Sequence, residues 1–489
     1  MVSFNTIPTL LTPGNYIEFD NTRALPGLPG QPHKILVIGQ RLATGTVAEG
    51  VVKPILSEGQ AEEYFGRGSM LAEMCAAAKK ANRLTEMHAV ALDEVVGGTA
   101  ATAAPGISVT GTATAAGTIA LYIAGKKIPV SVAVGDTAVV VAASINAAIS
   151  AETGLPLTSA LDAVNQYEVD LTAAWKGETG NYIDVRVNYY ANESLPAGIN
   201  LALTPLAGGA TNPDIATALA AIGDTQYNTI IQPFTDAANL TALNTELTER
   251  WKGTSSNDGQ AFTAAYGTLA ELTTLGTGQN SPHNTILGEG KAPQSPWIWA
   301  AVLGAIDAAE PDPARPRQTL HLVGLMPPSE TDRYTREERD LLLGKGIATH
   351  IVDGGGRVLI ERLVTTYQKN AAAVPDASYR DIETMRTLSY LRFSRRARLA
   401  QRFPRHKLAG DGTRFGPGQA VVTPSIIKAD AMAWFQEMER AGLVEGFDQF
   451  KKEYVVERDS GDVNRVNEVL PPDLINQLRV TASQIQFLS

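Results

Sequence analysis

Lys34-Ile35-Leu36-Val37-Ile38-Gly39 is apolar without alternation. A strand with one wet face alternates, whereas a strand buried on both faces of a parallel sheet does not. Working outward, Ser57 with Gln60 forms a capping box for a short helix ending near Gly66. Ser69 caps the next helix, whose Met70, Leu71, Met74, Cys75 and Ala78 share one face. Met87 to Leu92 reads as a second strand. Strand, helices and strand in this order predict an α/β core, with Cys75 as a small core residue rather than a nucleophile.

The pattern breaks at Gly97 and returns after Gly208-Gly209. Between 97 and 177 the only charged side chains are Lys126, Lys127, Asp136, Glu152, Asp162, Glu168, Asp170 and Lys176. Thr118–Ala124 and Lys127–Val134 predict a hairpin turning at Gly125. Thr137 opens a helix through Ile149, and Tyr167–Ala173 and Tyr182–Tyr190 predict further strands. Residues 97–209 are therefore expected to be a β-rich domain inserted into the core. After it, Tyr227–Phe234, Ala261–Tyr266, Asn284–Leu287, Leu320–Met326 and Ile347–Asp353 read as strands. Asp236, and Thr335 with Glu338, cap the helices between them.

The ends read differently. Five prolines from Pro8 to Pro32 forbid a long helix, yet Tyr16-Ile17-Glu18-Phe19 alternates as a short strand without a local partner. Val480 to Leu488, with Ile485 and Phe487, is again β-forming by residue type and follows a polar stretch at 459–469. Each is either an edge strand on its own domain or a strand donated to another subunit. The expected division is an N-terminal arm at 1–32, core at 33–96, insert at 97–209, core again at 210–375, a C-terminal α+β domain at 376–458 and a C-terminal arm at 459–489. The fold class is thus a multidomain α/β chain with extended strand arms.

Composition sets outer limits. The 489 residues suffice for about three domains. The 41 Lys and Arg against 51 Asp and Glu give a formal charge of −10, which disfavours a general nucleic-acid binder. One cysteine makes no disulfide framework and fits a reducing compartment. The start lacks a basic segment of signal-peptide type, and the apolar run Trp297–Ile306 falls short of the roughly 20 residues of a membrane span. A soluble protein made in a cytoplasm is expected.

No catalytic, cofactor or metal site is predicted. Gly344-Lys345-Gly346 is not a phosphate loop, Gly354-Gly355-Gly356 reads as a turn, and no G-x-S-x-G occurs. His33, His88, His283, His321, His350 and His406 stand singly, without metal-ligand spacing. One charge feature stands out. From Arg386 to Lys407 there is no acid, and Arg392, Arg395, Arg396, Arg398 and Arg402 fall within about half a helix circumference. This is either a solvated face or a docking face for an acidic partner.

Several segments together resemble a family. They are Phe4-Asn5-Thr6-Ile7-Pro8, Tyr16-Ile17-Glu18-Phe19-Asp20-Asn21, Phe65-Gly66-Arg67-Gly68-Ser69-Met70-Leu71-Ala72, Leu121-Tyr122-Ile123-Ala124-Gly125 and Leu470-Pro471-Pro472-Asp473-Leu474-Ile475-Asn476-Gln477-Leu478-Arg479. With them the chain resembles the tail sheath proteins of Mu-like contractile-tail bacteriophages.

The resemblance implies a structural homomultimer of six-fold rings stacked helically around a tail tube. Such a sheath contracts to drive the tube through the host envelope for genome ejection. The resemblance also implies tube, baseplate and tail terminator proteins as partners, with no nucleic acid, membrane insertion or cofactor. It places the protein in the virion tail, after assembly in the host cytoplasm as a late protein. It assigns strand exchange between subunits to Tyr16, Ile17, Phe19, Val480, Ile485 and Phe487, and tube contact to Arg392, Arg395, Arg396, Arg398 and Arg402. Two other classes stay open: an enzyme using loops after Phe234, Met326 and Asp353 at strand carboxyl ends, or a nucleic-acid binder using the arginine helix.

Overall fold

A computed structural model describes Thr12 and residues 30–487. The expected N-terminal strand, with Tyr16, Ile17 and Phe19, lies outside the described residues. The chain divides into a larger unit, His33–Ser389 with the residues from Leu474 onward, and a smaller one built mainly from Tyr390–Asp473.

The larger unit opens with β1 (Lys34–Gln40), β2 (Val52–Pro54), α1 (Glu58–Phe65), α2 (Met70–Ala81) and β3 (Glu86–Leu92). The insert follows as β4 (Ala100–Gly111), β5 (Gly117–Ile123), β6 (Lys126–Val132), α3 (Ala138–Ala151), β7 (Leu157–Leu161), β8 (Glu168–Lys176), β9 (Val185–Val187) and β10 (Ile199–Leu203). Then come α4 (Ala216–Ile222), β11 (Thr229–Ile231), α5 (Ala237–Trp251), β12 (Gln260–Tyr266), α6 (Leu269–Thr277), β13 (Asn284–Gly290) and α7 (Pro296–Ala309). α8 (Arg336–Gly344), β14 (Ile347–Val352) and β15 (Val358–Arg362) complete the core.

The core sheet runs β15-β14-β13-β12-β11-β1-β3-β2. Its inner strands are parallel, and β2 and β15 close the edges antiparallel. The unbroken apolar run of β1 follows from its central place. Ile35 and Val37 join one core cluster with Met74 and Trp299, while Leu36 and Ile38 join another with Leu219 and Leu243. Both faces are dry, so neither set of alternate residues is polar.

Among the described residues the insert's strands pair only with one another, as β10-β4-β8-β7 and β6-β5-β9. The β5–β6 hairpin turns at Ala124 and Gly125, both at positive φ (48° and 80°), which suits two-residue hairpin turns. The insert still shares the core's apolar cluster. Trp175 of β8 meets Trp297 of α7 edge-on, ring centroids 5.4 Å apart. The Gln40 side-chain amide donates to the Lys176 carbonyl at 2.8 Å, and the Tyr189 hydroxyl to the Pro327 carbonyl at 2.8 Å.

Several expected strands are corrected. Leu320–Met326 forms no strand: positive φ at Thr319 (68°), just before it, and at Gly324 (84°), within it, turn the chain and leave a single bridge from His321 to Leu359. Tyr182–Tyr190 keeps only Val185–Val187, because a 3-10 turn occupies Glu178–Tyr182 and Asn188 turns at φ 56°. Tyr227–Phe234 keeps Thr229–Ile231, after which the Gln232 side chain accepts the Phe234 N–H at 2.7 Å. Gly354-Gly355-Gly356 is a turn, fastened by Asp353 Oδ1 to the N–H groups of Gly355 and Arg357, and it leads into β15, which the sequence reading lacked.

α9 (Ile382–Arg402) runs from the larger unit into the smaller. The smaller unit continues with β16 (Lys407–Leu408), β17 (Val421–Val422), α10 (Pro424–Arg440), β18 (Val444–Glu445), α11 (Phe447–Glu453), β19 (Val455–Arg458) and β20 (Val466–Val469). Its core gathers Trp434, Phe435, Met438, Phe450 and Tyr454, with Phe435 stacked on Phe450 at 4.0 Å. β19 and β20 form an antiparallel hairpin whose turn is held by Asp459 Oδ1 accepting the N–H groups of Gly461 and Asp462. The polar stretch 459–469 is therefore folded. Among the described residues no helix is long and apolar enough to cross a membrane.

Candidate assembly surfaces

The arginines of α9 meet acids from elsewhere in the smaller unit. Arg395, Arg398 and Arg402 recur at helical spacing opposite α10, where Asp430 and Glu437 do the same. Arg395 Nη1 donates to Asp430 Oδ2 at 2.8 Å and Arg398 Nε to Asp430 Oδ1 at 2.8 Å. Arg398 Nη1 reaches Glu437 at 2.6 Å, and Arg402 Nε lies 3.2 Å from Asp430. Arg395 Nη2 also donates to Glu468 of β20, which accepts the Tyr454 hydroxyl as well. Burial lowers the Arg398 pKa, but its bonds to Glu437 and Asp430 outweigh that and leave it above its ordinary value.

Arg395 is only 6% exposed. Within the expected five-arginine face, Arg395 and Arg398 are neutralised by acids inside the unit. Arg396 and Arg402 are exposed, and Arg392 is half-buried. The window from Arg386 to Lys407 holds no acid, because the partners Asp430 and Glu468 lie 35 and 73 positions from Arg395.

Arg386, the first arginine of the run, sits in the larger unit with a buried cluster. Asp307 of α7 takes Arg317 at 3.0 Å and also Arg386. Burial raises the Asp307 pKa, yet the two guanidiniums outweigh it and hold the carboxylate below its usual range. At the C-terminus, Val480, Ile485 and Phe487 lie in no strand, with Ile485 89% and Phe487 86% exposed.

The carboxyl edge of the core sheet holds a cavity of about 160 Å³ lined by Tyr182, Thr235, Tyr266 and Glu271. Glu271 is engaged as a helix cap: it accepts the Thr268 N–H at 2.7 Å, which holds it below the usual carboxylate range. The loop after Met326 leaves no strand, and Asp353 is engaged in its own turn. His350 is buried and held neutral, its pKa lowered to about 4. Cys75 is buried and its thiol is pushed up by burial. Among the described residues no group of three or more His, Cys, Asp or Glu side chains is placed to hold a metal ion. Glu271 and Asp353 thus serve a helix cap and a turn, and His350 and Cys75 lie in the core.

Comparison with known proteins agrees. Residues 208–366 match the phage tail sheath protein central domain, and residues 374–487 match the phage tail sheath C-terminal domain. The sheath tail protein Lin1278 from Listeria innocua is similar in structure, with a TM-score of 0.50 and 14% identity over 92% of this chain and 93% of that one. The sheath tail protein from Desulfitobacterium hafniense gives a TM-score of 0.48 at 14% identity, over 94% of this chain and 100% of that one. The Mu-like prophage FluMu tail sheath protein of Haemophilus influenzae is 44% identical over 490 residues, covering 100% of this chain and 99% of that protein. The chain therefore belongs to the tail sheath proteins of Mu-like phages and prophages.

Proposed function

We propose that copies of this chain form six-fold rings, stacked helically around a tail tube, which shorten to drive the tube through a host envelope for genome ejection. As a family member the chain is a structural subunit of a contractile tail sheath, a component of the virion tail and not an enzyme. The finer partners of the proposal are the tail tube, baseplate and tail terminator proteins, and its place of assembly is the host cytoplasm.

The observation that supports it is a pair of complementary β edges. The hairpin β19–β20 pairs, among the described residues, with no third strand, and it leaves Val455 and Val469 exposed. The segment from Val480 to Phe487 carries exposed β-forming side chains and no ladder. An unpaired edge and an unpaired strand each leave backbone groups unmet, and pairing between subunits satisfies both. The N-terminal residues Tyr16, Ile17 and Phe19 are proposed for the same role.

Tube contact is proposed for the outward arginines of α9, chiefly Arg396 and Arg402. Negative-stain microscopy of the purified chain tests the whole. Tubes or stacked rings are expected from the intact protein, and a folded, soluble monomer from a chain lacking residues 480–489. Ordered sheaths from the truncated chain would refute strand exchange through this arm.

A further inference from the structure

The C-terminal segment leaves the larger unit through one ion-pair cluster. Arg479 Nη2 stands 2.9 Å from Glu383 Oε2 and 3.2 Å from Asp381 Oδ1, both at the start of α9. Glu383 is fully buried, and its other oxygen accepts the backbone N–H of Arg317 at 2.9 Å. Asp381 is gripped a second time by Arg362 of β15, at 2.9 and 3.1 Å. Arg317 in turn pairs with Asp307, which holds Arg386. Two ion-pair groups, Arg386–Asp307–Arg317 and Glu383–Arg479–Asp381, are thus joined through the backbone N–H of Arg317. Two amides flank the cluster: Gln318 donates to the Leu478 carbonyl at 3.3 Å and Gln477 to the Ala314 carbonyl at 3.4 Å. Immediately beyond, Val480 is exposed.

We propose that Arg479 is the fixed root of the C-terminal arm: it stays seated on Asp381 and Glu383 and positions Val480–Phe487 for exchange with a second copy of the chain. This rests on the strand-exchange reading above. The reason is electrostatic. Among the described residues, lifting Arg479 would leave the Glu383 carboxylate buried with a single N–H donor, and a buried charge stripped of its partner is among the most destabilising changes a fold meets. A pull on the arm therefore opens the chain at residue 480. The stretch 459–469 is no pivot, being the hairpin described above. Arg479 acts as a positioning residue, through geometry rather than through contact with the neighbour.

Site-directed spin labelling tests this on the full-length chain. Cys75 is buried, so a single introduced cysteine takes the nitroxide selectively. With Asn476→Cys the label is expected to be slow in the monomer and to stay slow in the assembled sheath, while with Gln484→Cys it is fast in the monomer. Arg479→Gln is expected to make the Asn476→Cys label as fast as the Gln484→Cys label and to lower sheath yield about tenfold, with Arg479→Lys recovering part of both. Should Arg479→Gln fail to fold, Asp381→Asn supplies the same comparison. An unchanged label in the variant, a root label that turns fast on assembly, or a loosened root with full sheath yield would each overturn the proposal. Polymerisation of the chain lacking 480–489 would instead overturn strand exchange itself, so the two failures are distinct.

Discussion

Arg395 and Asp430 stand 2.8 Å apart in the interior of the C-terminal unit, and the same guanidinium reaches Glu468 with its other terminal nitrogen. One side chain thereby joins α9, α10 and β20. Removing one partner of a buried ion pair leaves the other charged and desolvated. Arg395→Met is expected to destabilise this unit by about 3 kcal/mol, read from urea denaturation. Arg396→Glu, at an exposed position, is expected to cost about 1 kcal/mol or less, the scale of an exposed charge with its contacts. If tube docking uses the outward arginines, only the second variant should weaken sheath–tube association while leaving self-assembly intact.

The insert is fastened to the core through the edge-on contact of Trp175 and Trp297, and Trp297 Nε1 also donates to Glu73 at 2.9 Å. Trp175→Ala should cost about 3–5 kcal/mol, as other large-to-small core changes do. Limited proteolysis is the sensitive readout, with cleavage expected in the loops joining 97–209 to the core before global unfolding. Equal protease resistance in variant and parent would show that the two parts hold together without it.

Helix α6 approaches the chain before β14 so closely that a Cβ on Gly276 would stand 2.3 Å from the Lys345 carbonyl oxygen and 2.9 Å from Ile347 Cγ1. Neither backbone nor strand can yield that distance cheaply. Gly276→Ala is expected to lower stability by about 1–3 kcal/mol. Gly278→Ala, with its nearest atom at 3.4 Å and no positive φ, serves as the tolerated control in the same melts.

His350 supplies a pH dependence. Its Nδ1 lies 3.1 Å from the Gly288 carbonyl, its ring packs 4.9 Å from Trp299, and burial lowers its pKa from 6.5 to about 4. The folded state thus binds fewer protons than the unfolded one. Its contribution is complete above pH 6.5 and is lost as pH falls towards 4, at most about 3 kcal/mol. Glu73 acts in the opposite sense, because burial raises it to about 7, so its ionisation erodes stability as pH rises from 4.5 to 7. The difference between parent and His350→Asn isolates the histidine, since Glu73 is common to both. A difference that stays constant from pH 7 to 4.5 would refute the assignment.

Local chemistry was legible in the sequence, and long-range chemistry was not. Ser57, Ser69, Asp236 and Thr335 each cap the helix their spacing announced, because a cap needs only the next three residues. β1 was legible because burial on both faces writes itself into consecutive residues. Leu320–Met326 misled because its apolar side chains fill the core from turns: Leu322 is fully buried without belonging to a strand. The pairing of the arginine face with Asp430, Glu437 and Glu468 was not legible in the sequence. A charge run shows its own residues, whereas the acids that neutralise it come from other elements. Arg479 could have been suspected as the lone cation in the C-terminal segment from Leu470 onward, but only the fold brings Asp381 and Glu383 to it.

The apolar cluster that runs without a break from the core sheet into the insert has a mechanical consequence. Ile107, Leu121 and Trp175 on one side and Val37, Leu287 and Trp297 on the other belong to one close-packed body. Close-packed interiors are stiff and transmit strain rather than absorb it. If the segment beyond Arg479 pairs with a neighbouring copy as proposed, the larger unit bears a load as one stiff body and that segment is its compliant link. In an array joined in that way, deformation would concentrate in the links, and a displacement applied at one edge would be handed on as motion of whole units.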